Sequence, residues 1–253
     1  MKIVVIGGTG LVGRQLVGDL AGRGHKVVAA SPSSRVDSIT GEGLAQAFAG
    51  AQIVVDVSNA ASLAEDEVLA FFGTSATNIA AAARKAGVKH VVVLSIVGTD
   101  RLQTSGYFRG KQAQESAVAQ SGVPYTIVRA TQFFEFLSTI ADGYTRDGVA
   151  HLPIFAVQPV AAADVAAALA DVALSEPVND VTEIAGPERA SVVDFVGTWL
   201  GHRDDPRAIV SDEDAGYFGA PADDRTLVPG DGARLLPTRF EAWLAAQPAQ
   251  EQA

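Results

Sequence analysis

Repetition of one unit, a short β-branched run followed by a longer alanine-rich helical pattern, constrains this chain more than any other feature of its sequence. The pairs are Ile3 to Ile6 with Leu11 to Arg23, Lys26 to Ala30 with Leu44 to Ala49, and Ile53 to Val57 with Val68 to Ala86. Val91 to Ser95 with about Tyr107 to Gln120, and Tyr125 to Arg129 with about Phe133 to Arg146, continue the series. The runs IVVI, IVVDV and HVVVLS are apolar at successive positions, as strands are when a parallel sheet is covered on both faces. Alternation of this kind predicts an α/β fold built on a doubly wound parallel sheet. Past residue 147 the rhythm changes. A strand near Val149 to Leu152, a helix from about Ala161 to Leu174, a strand at Thr182 to Ala185 and a helix at Val192 to Leu200 are expected. A loop-heavy stretch from Asp204 to Asp231 then leads to a last amphipathic helix around Arg239 to Ala246. The expected division is 1–147 for the sheet domain and 148–253 for a small C-terminal α/β lobe that shares its core.

Directly after the first strand stands Ile6-Gly7-Gly8-Thr9-Gly10-Leu11-Val12-Gly13, opening the first helix. Glycine suits this place for three reasons: the strand turns sharply, a backbone without Cβ can approach a pyrophosphate, and the helix packs closely on the sheet. The helix N-terminus then offers free N–H groups and a positive dipole end to an anion. In this context the glycines predict a dinucleotide-binding Rossmann sheet. An NAD-preferring version usually carries an acid at the end of the second strand for the ribose 2′-hydroxyl. Here that strand ends Ala30-Ser31-Pro32-Ser33-Ser34-Arg35, and Ser31, Ser33, Ser34 and Arg35 suit a 2′-phosphate. The expected cofactor is NADP(H) in preference to NAD(H).

Tyr107 and Lys111 are four positions apart, hence on one helical face, in the helix after the fourth strand. A nearby ammonium favours phenolate, so the pair is expected to lower the tyrosine pKa and let its hydroxyl protonate a carbonyl oxygen as hydride arrives. Ser95, which ends the fourth strand, is placed to polarise that oxygen. Arg129 ends the fifth strand and either anchors loops near the cofactor or pairs with Asp164, which opens a later helix. Tyr144, Phe133, Phe134 and Phe136 form an aromatic cluster in sequence.

Composition narrows the function classes. Nineteen basic residues against 29 acidic ones leave a net charge of −10, unsuited to neutralising nucleic-acid phosphates or meeting an anionic membrane. Without cysteine there is no disulfide, thiolate metal site or cysteine nucleophile, and the four histidines, His25, His90, His151 and His202, are scattered, so no metal is expected. The apolar run at the start is too short for a signal segment, and a soluble cytoplasmic protein is expected, as monomer or homodimer. No G-x-S-x-G elbow, H-E-x-x-H or P-loop occurs, so esterase, zinc protease and NTPase readings lack support.

Taken together, IGGTGLVG, VVVLSIVG, SGYFRGKQAQE, GVPYTIVRATQFFEF and QPVAAADVA resemble the atypical and extended short-chain dehydrogenase/reductases, and within them the NmrA-like NAD(P)H-binding group. The resemblance covers residues 1 to about 175. It implies backbone contacts from Thr9, Leu11 and Val12 to the pyrophosphate, with Asp56, Val57 and Ser58 around the adenine end. It further implies Ala130, Thr131, Gln132 and Phe133 near the nicotinamide ribose, Tyr107 as acid, and Lys111 on the ribose hydroxyls. His151 and Phe155, with Phe133 and Phe136, fall where the family's substrate pocket lies. The chain departs from the pattern after Ser95, where Ile96-Val97-Gly98 replaces a second serine. The expected function is an NADP(H)-dependent oxidoreductase reducing a carbonyl or conjugated C=C of a small, largely apolar substrate between the sheet edge and the second lobe. A non-catalytic NADP(H) sensor with a regulatory partner, and a nucleotide-sugar epimerase, are the alternatives; the epimerase usually needs a larger sugar-binding lobe.

Overall fold

The computed structural model describes residues 1–62 and 64–247. In chain order come β1 (Lys2–Ile6), α1 (Leu11–Gly22), β2 (Lys26–Ala30), α2 (Leu44–Phe48), β3 (Ile53–Asp56), α3 (Glu65–Ala86), β4 (His90–Ile96), α4 (Gly106–Ala119) and β5 (Tyr125–Ala130). There follow α5 (Leu137–Gly143), β6 (Thr145–Arg146), β7 (Val149–Pro153), β8 (Ala156–Val157), α6 (Ala162–Leu174) and β9 (Val181–Ala185). The chain continues through β10 (Ala190–Ser191), α7 (Val192–His202), β11 (Ala208–Asp212), β12 (Arg234–Leu235) and α8 (Phe240–Ala245).

The central sheet has seven strands in the order β12-β9-β5-β4-β3-β1-β2, the doubly wound arrangement that the repeated strand–helix pattern predicts. β1 pairs in parallel with β2 on one side and β3 on the other, so the chain reverses its direction of travel across the sheet at β1 and β3. In open α/β sheets, ligands bind at the carboxyl ends of the strands flanking such a reversal. All four residues of β3 are buried, including Asp56, and β1 is buried from Ile3 onward. α3 begins at Glu65, ahead of the apolar periodicity that starts at Val68, because Glu65, Asp66 and Glu67 complement the positive end of the helix. Arg84 and Lys85 do the same at its other end, and Gly87, at φ 69°, closes it in the left-handed conformation that glycine adopts without strain.

Two compact units divide the chain: Met1–Arg129 with Val165–Thr182, and Ala130–Asp164 with the described residues from Glu183 onward. The second unit contains a three-stranded sheet, β11-β7-β6, and a two-stranded one, β10-β8. Its core gathers Phe134, Phe195, Phe240 and Trp243, whose ring centroids lie 5.0–6.4 Å apart. The Glu135 carboxylate accepts from the Ala162 N–H at the start of α6 and from the Trp243 indole, fixing that helix end against α8.

Two sequence expectations are corrected here. The helix expected from Phe133 to Arg146 is reduced to α5, because Phe133 is extended and bridged to Val160, the Phe134 N–H donates to the Val160 carbonyl, and Phe134–Phe136 form a 3-10 turn. At its other end, Thr145 and Arg146 pair antiparallel with β7. The stretch expected to be loop contains β11, which pairs in parallel with β7; its exposed side chains carry no burial pattern from which a strand could be read.

Candidate functional site

The glycine-rich turn lies at the reversal point of the sheet. Gly7, at φ 77°, passes so close to the end of β3 that a Cβ there would stand 2.8 Å from the Ser58 nitrogen. A Cβ on Gly8 would meet the Ala29 Cα at 2.8 Å, and one on Gly13 the Gly7 carbonyl oxygen at 2.1 Å. These contacts press the first turn of α1 onto the ends of β1, β2 and β3. Gly10 caps α1 without a side chain, and the first turn holds no acid. The N–H groups of this helix end therefore have no carboxylate competing for them, and the cradle suits a pyrophosphate in charge and in its lack of side-chain bulk. Thr9 and Gly10 are exposed, Leu11 is half-buried and Val12 is buried.

At the end of β2 the chain turns through Pro32–Ser34. The Ser34 hydroxyl accepts from the Ser31 N–H at 2.9 Å, and the Ser31 and Ser33 hydroxyls are 2.8 Å apart. Arg35 follows in the left-handed conformation, at φ 59°, and its exposed guanidinium has no partner among the described residues. The turn thus sets exposed Ser33 and Ser34 next to an exposed guanidinium in sequence, with Ser31 buried and the Ser34 hydroxyl turned to the Ala29 and Ser31 carbonyls.

Tyr107 and Lys111 both lie on α4, but they face different partners. The half-buried Tyr107 hydroxyl donates to the Asn59 Oδ1 at 2.6 Å, with its ring edge-on to Phe72 at 5.7 Å. The Lys111 ammonium is buried (3% exposed), donates to the Leu94 carbonyl at 2.8 Å and to Gln114, and sits 4.5 Å above the Phe72 ring. Gln114 in turn donates to the buried Asp56 carboxylate at 2.8 Å, which also accepts from the Ser58 N–H and hydroxyl. Burial lowers the Lys111 amine to about 8, with the fields of Asp56 and Glu115 opposing the shift. Burial raises the Tyr107 phenol to about 12, with the Asn59 bond opposing it. This reverses the pKa expected from the four-residue spacing: a shared helix face brings two side chains near, but desolvation dominates and the ammonium is turned to other acceptors.

Ser95 belongs to a second buried network. Its hydroxyl donates to Glu115, which also receives Arg129 Nε at 3.0 Å and a second guanidinium nitrogen at 2.8 Å. Arg129 reaches Asp100 with its remaining nitrogen at 3.1 Å. The ion pair expected for Arg129 therefore forms with Glu115 and Asp100, while Asp164 accepts from the Thr238 N–H and hydroxyl at 2.8 and 2.9 Å.

In the second unit, Ala130, Thr131 and Gln132 are buried as the chain leaves β5. Thr131 donates its hydroxyl to the Gln158 carbonyl at 2.6 Å, whereas both polar atoms of the Gln132 side chain lack partners among the described residues. The aromatic cluster expected from sequence divides three ways. Phe134 enters the core, Phe133 and Phe136 stack on each other at 5.6 Å, and Tyr144 packs on Phe218 while its hydroxyl donates to the Gly216 carbonyl at 2.6 Å. His151 lies on β7 opposite Val210, and Phe155 packs edge-on to Tyr217 beside a cleft of about 360 Å³ also lined by Ile154, Asp223, Asp224 and Arg225. Among the described residues no cluster of histidines, cysteines and acids is arranged to hold a metal, and no helix is long and apolar enough to cross a membrane.

Asn59, Gln114 and Glu115 are partners of the expected site residues that sequence reasoning did not single out. Gln114 and Glu115 stand three and four positions after Lys111 on α4, a spacing that could have indicated them; Asn59 is brought to Tyr107 across 48 residues, which no local pattern announces.

Residues 7–176 match the family described as NAD(P)H-binding. The chain is 31% identical over 176 residues to the (4-alkanoyl-5-oxo-2,5-dihydrofuran-3-yl)methyl phosphate reductase of Streptomyces griseus, a match covering 64% of this chain and 58% of the relative. It is 28% identical over 151 residues to the photosystem II assembly factor Ycf39 of a Synechocystis species, covering 54% and 46% respectively. The chain thus spans about half the length of the curated relatives it matches. Its fold is similar to that of a dTDP-4-dehydrorhamnose reductase of Bacillus anthracis in complex with NADP, at a TM-score of 0.76 and 15% identity, covering 97% of this chain and 99% of that one.

Proposed function

The chain belongs to the NAD(P)H-binding family, and from that premise we propose that it is an NADP(H)-dependent reductase of a carbonyl or conjugated C=C in a small, largely apolar substrate. The observation that carries the reading is the glycine cradle at the sheet's reversal point, where any side chain at Gly7, Gly8 or Gly13 would collide with backbone. In this reading Thr9, Leu11 and Val12 hold the pyrophosphate through their N–H groups, while the Gly10 N–H closes the turn onto the Gly7 carbonyl at 3.0 Å, and Ser31, Ser33, Ser34 and Arg35 receive the 2′-phosphate, which favours NADP(H) over NAD(H). Asp56, Val57 and Ser58 flank the adenine end, and Ala130 to Phe133 the nicotinamide ribose. When bound, the cofactor supplies hydride. In this reading Tyr107 donates the proton, its hydroxyl leaving the Asn59 acceptor for the substrate oxygen; the phenol held at about 12 is protonated at neutral pH, though a weaker acid than one lowered by a neighbouring ammonium. Lys111 positions the end of β4 through the Leu94 carbonyl, and in this reading the one N–H not given to Leu94 or Gln114 is the donor to a ribose hydroxyl. Phe133, Phe136, His151 and Phe155 supply the substrate's surroundings. Relatives named as reductases, the furanone phosphate enzyme among them, support the reaction class.

A second reading, NADP(H) binding without turnover, is favoured by one group of observations. Ser95 is committed to Glu115, the Lys111 ammonium to Leu94 and Gln114, and a relative bears the name of an assembly factor. NADPH oxidation measured against a panel of quinones, aldehydes and enones separates the two. Turnover that disappears in Tyr107→Phe supports the reductase; tight NADPH binding with no turnover across the panel rejects it for the sensor.

A further inference from the structure

Gln132 is 7% exposed, yet neither its side-chain oxygen nor its side-chain nitrogen has a hydrogen-bond partner among the described residues. The other buried side-chain atoms left unmet among the described residues are single atoms of His25, Ser75 and His90. Among the described residues Gln132 alone has a donor and an acceptor unmet together. The backbone around it is held firmly. Its own carbonyl accepts from the Val160 N–H at 2.8 Å, the Thr131 N–H donates to the Ile184 carbonyl, and the Phe134 N–H donates to the Val160 carbonyl at 3.0 Å. The loop's backbone is thus held in place, and a buried amide with both ends unmet is costly unless a water or a ligand meets them. The next aromatic residues of the same segment, Phe133 and Phe136, form a near-parallel stack with Phe136 44% exposed, an apolar surface open to a ligand body.

We propose that the Gln132 amide is a specificity-determining contact for a ligand group that carries a carbonyl oxygen beside an N–H or O–H. A carboxamide, or a carbonyl with an adjacent hydroxyl, matches it atom for atom: the glutamine NH2 donates to the carbonyl, and the glutamine oxygen accepts from the N–H or O–H. The group could belong to the nicotinamide carboxamide or to the substrate. The proposal rests on the reading of the protein as a nicotinamide-dependent reductase.

The test compares wild type with Gln132→Leu and with Gln132→Met, whose unbranched side chain fills the same space if the leucine variant fails to fold. Each is titrated with NADP+, with 2′-phospho-ADP-ribose, which lacks the nicotinamide, and with the 3-acetylpyridine analogue, which keeps the carbonyl but loses the NH2. If the carboxamide is the ligand group, NADP+ binding weakens about tenfold or more in the variants, 2′-phospho-ADP-ribose binding is unchanged, and the preference of wild type for NADP+ over the analogue disappears. If the substrate supplies it, cofactor affinities stay the same and KM rises about tenfold for whichever compound is turned over. In both cases the ligand-free variants melt about 2–4 °C higher, because unmet buried groups have been removed; a merely structural amide would lower the melting temperature. Unchanged cofactor affinities together with unchanged KM, or with no compound turned over, overturn the proposal, as does a lower melting temperature in both variants. Wild type that binds no NADP(H) at all overturns the reductase reading and this proposal with it, a result distinct from normal binding in unaffected variants.

Discussion

Replacing Gly13 with alanine isolates the contact on which the cofactor cradle depends. The added Cβ would stand 2.1 Å from the Gly7 carbonyl oxygen and 2.8 Å from the Gly8 Cα, whereas ordinary contact begins at 3.4 Å. About 1.3 Å must be recovered, and both obstacles are backbone atoms that no rotamer change can move aside. Overpacking of this kind costs about 1–3 kcal/mol, and the rigidity of the neighbours puts this case at the upper end. Alanine returns about 1 kcal/mol of helix propensity in α1, so the net loss is about 2 kcal/mol, or a melting temperature lower by about 4–8 °C. Gly18 supplies the control: it is exposed on the same helix, and a Cβ there meets nothing within 4 Å, so Gly18→Ala should leave stability unchanged or raise it by up to about 1 kcal/mol. Because α1 must back away from the turn, its N–H groups move relative to Gly7 and Gly8. NADPH affinity in Gly13→Ala should fall about a hundredfold, and in Gly18→Ala not at all. Thermal unfolding and fluorescence titration of the two variants read both effects. A Gly13→Ala protein as stable and as tight-binding as the Gly18→Ala protein would refute the reasoning.

Arg35→Ala should lower NADPH affinity while sparing NADH, since among the described residues its guanidinium has no anionic partner; an unchanged NADPH/NADH ratio in paired titrations removes Arg35 from the 2′-phosphate site. Lys111 has a folded-state value near 8 against an ordinary 10.5, so the unfolded chain binds its proton more tightly. Its full penalty is present below pH 8 and is relieved as pH climbs toward 10.5. Urea unfolding across that window should show wild type gaining on Lys111→Met by on the order of 3 kcal/mol, and parallel curves for the two proteins would contradict it. Glu115→Leu leaves the largely buried Arg129 with only the exposed Asp100 and should cost about 3–5 kcal/mol, most of it recovered when Arg129→Met is added. Equal destabilisation in the single and double variants would show that the ion pair is not the source of the loss.

The strand–helix order and the placement of the glycine turn were legible in the sequence because both rest on short-range causes. Continuous apolar runs mark strands covered on two faces, and a turn that presses backbone on backbone admits only glycine. Short and exposed elements were not legible. β11 is exposed along most of its length and pairs with β7 across some sixty residues of sequence, so no periodicity betrays it. The same division runs through the candidate site. Sequence alone put Tyr107 and Lys111 on one helix and set hydroxyls beside Arg35, since spacing fixes a helical face and adjacency fixes a turn. Tertiary structure decided what those groups do with their charge. The Lys111 ammonium is drawn to Leu94 and Gln114, Ser95 and Arg129 both to Glu115, and Tyr107 to Asn59, because desolvation drives a buried polar group to a partner, from whatever distance in sequence that partner comes. Among the described residues Gln132 alone leaves both a donor and an acceptor of one side chain buried without a partner, which only the folded chain could disclose.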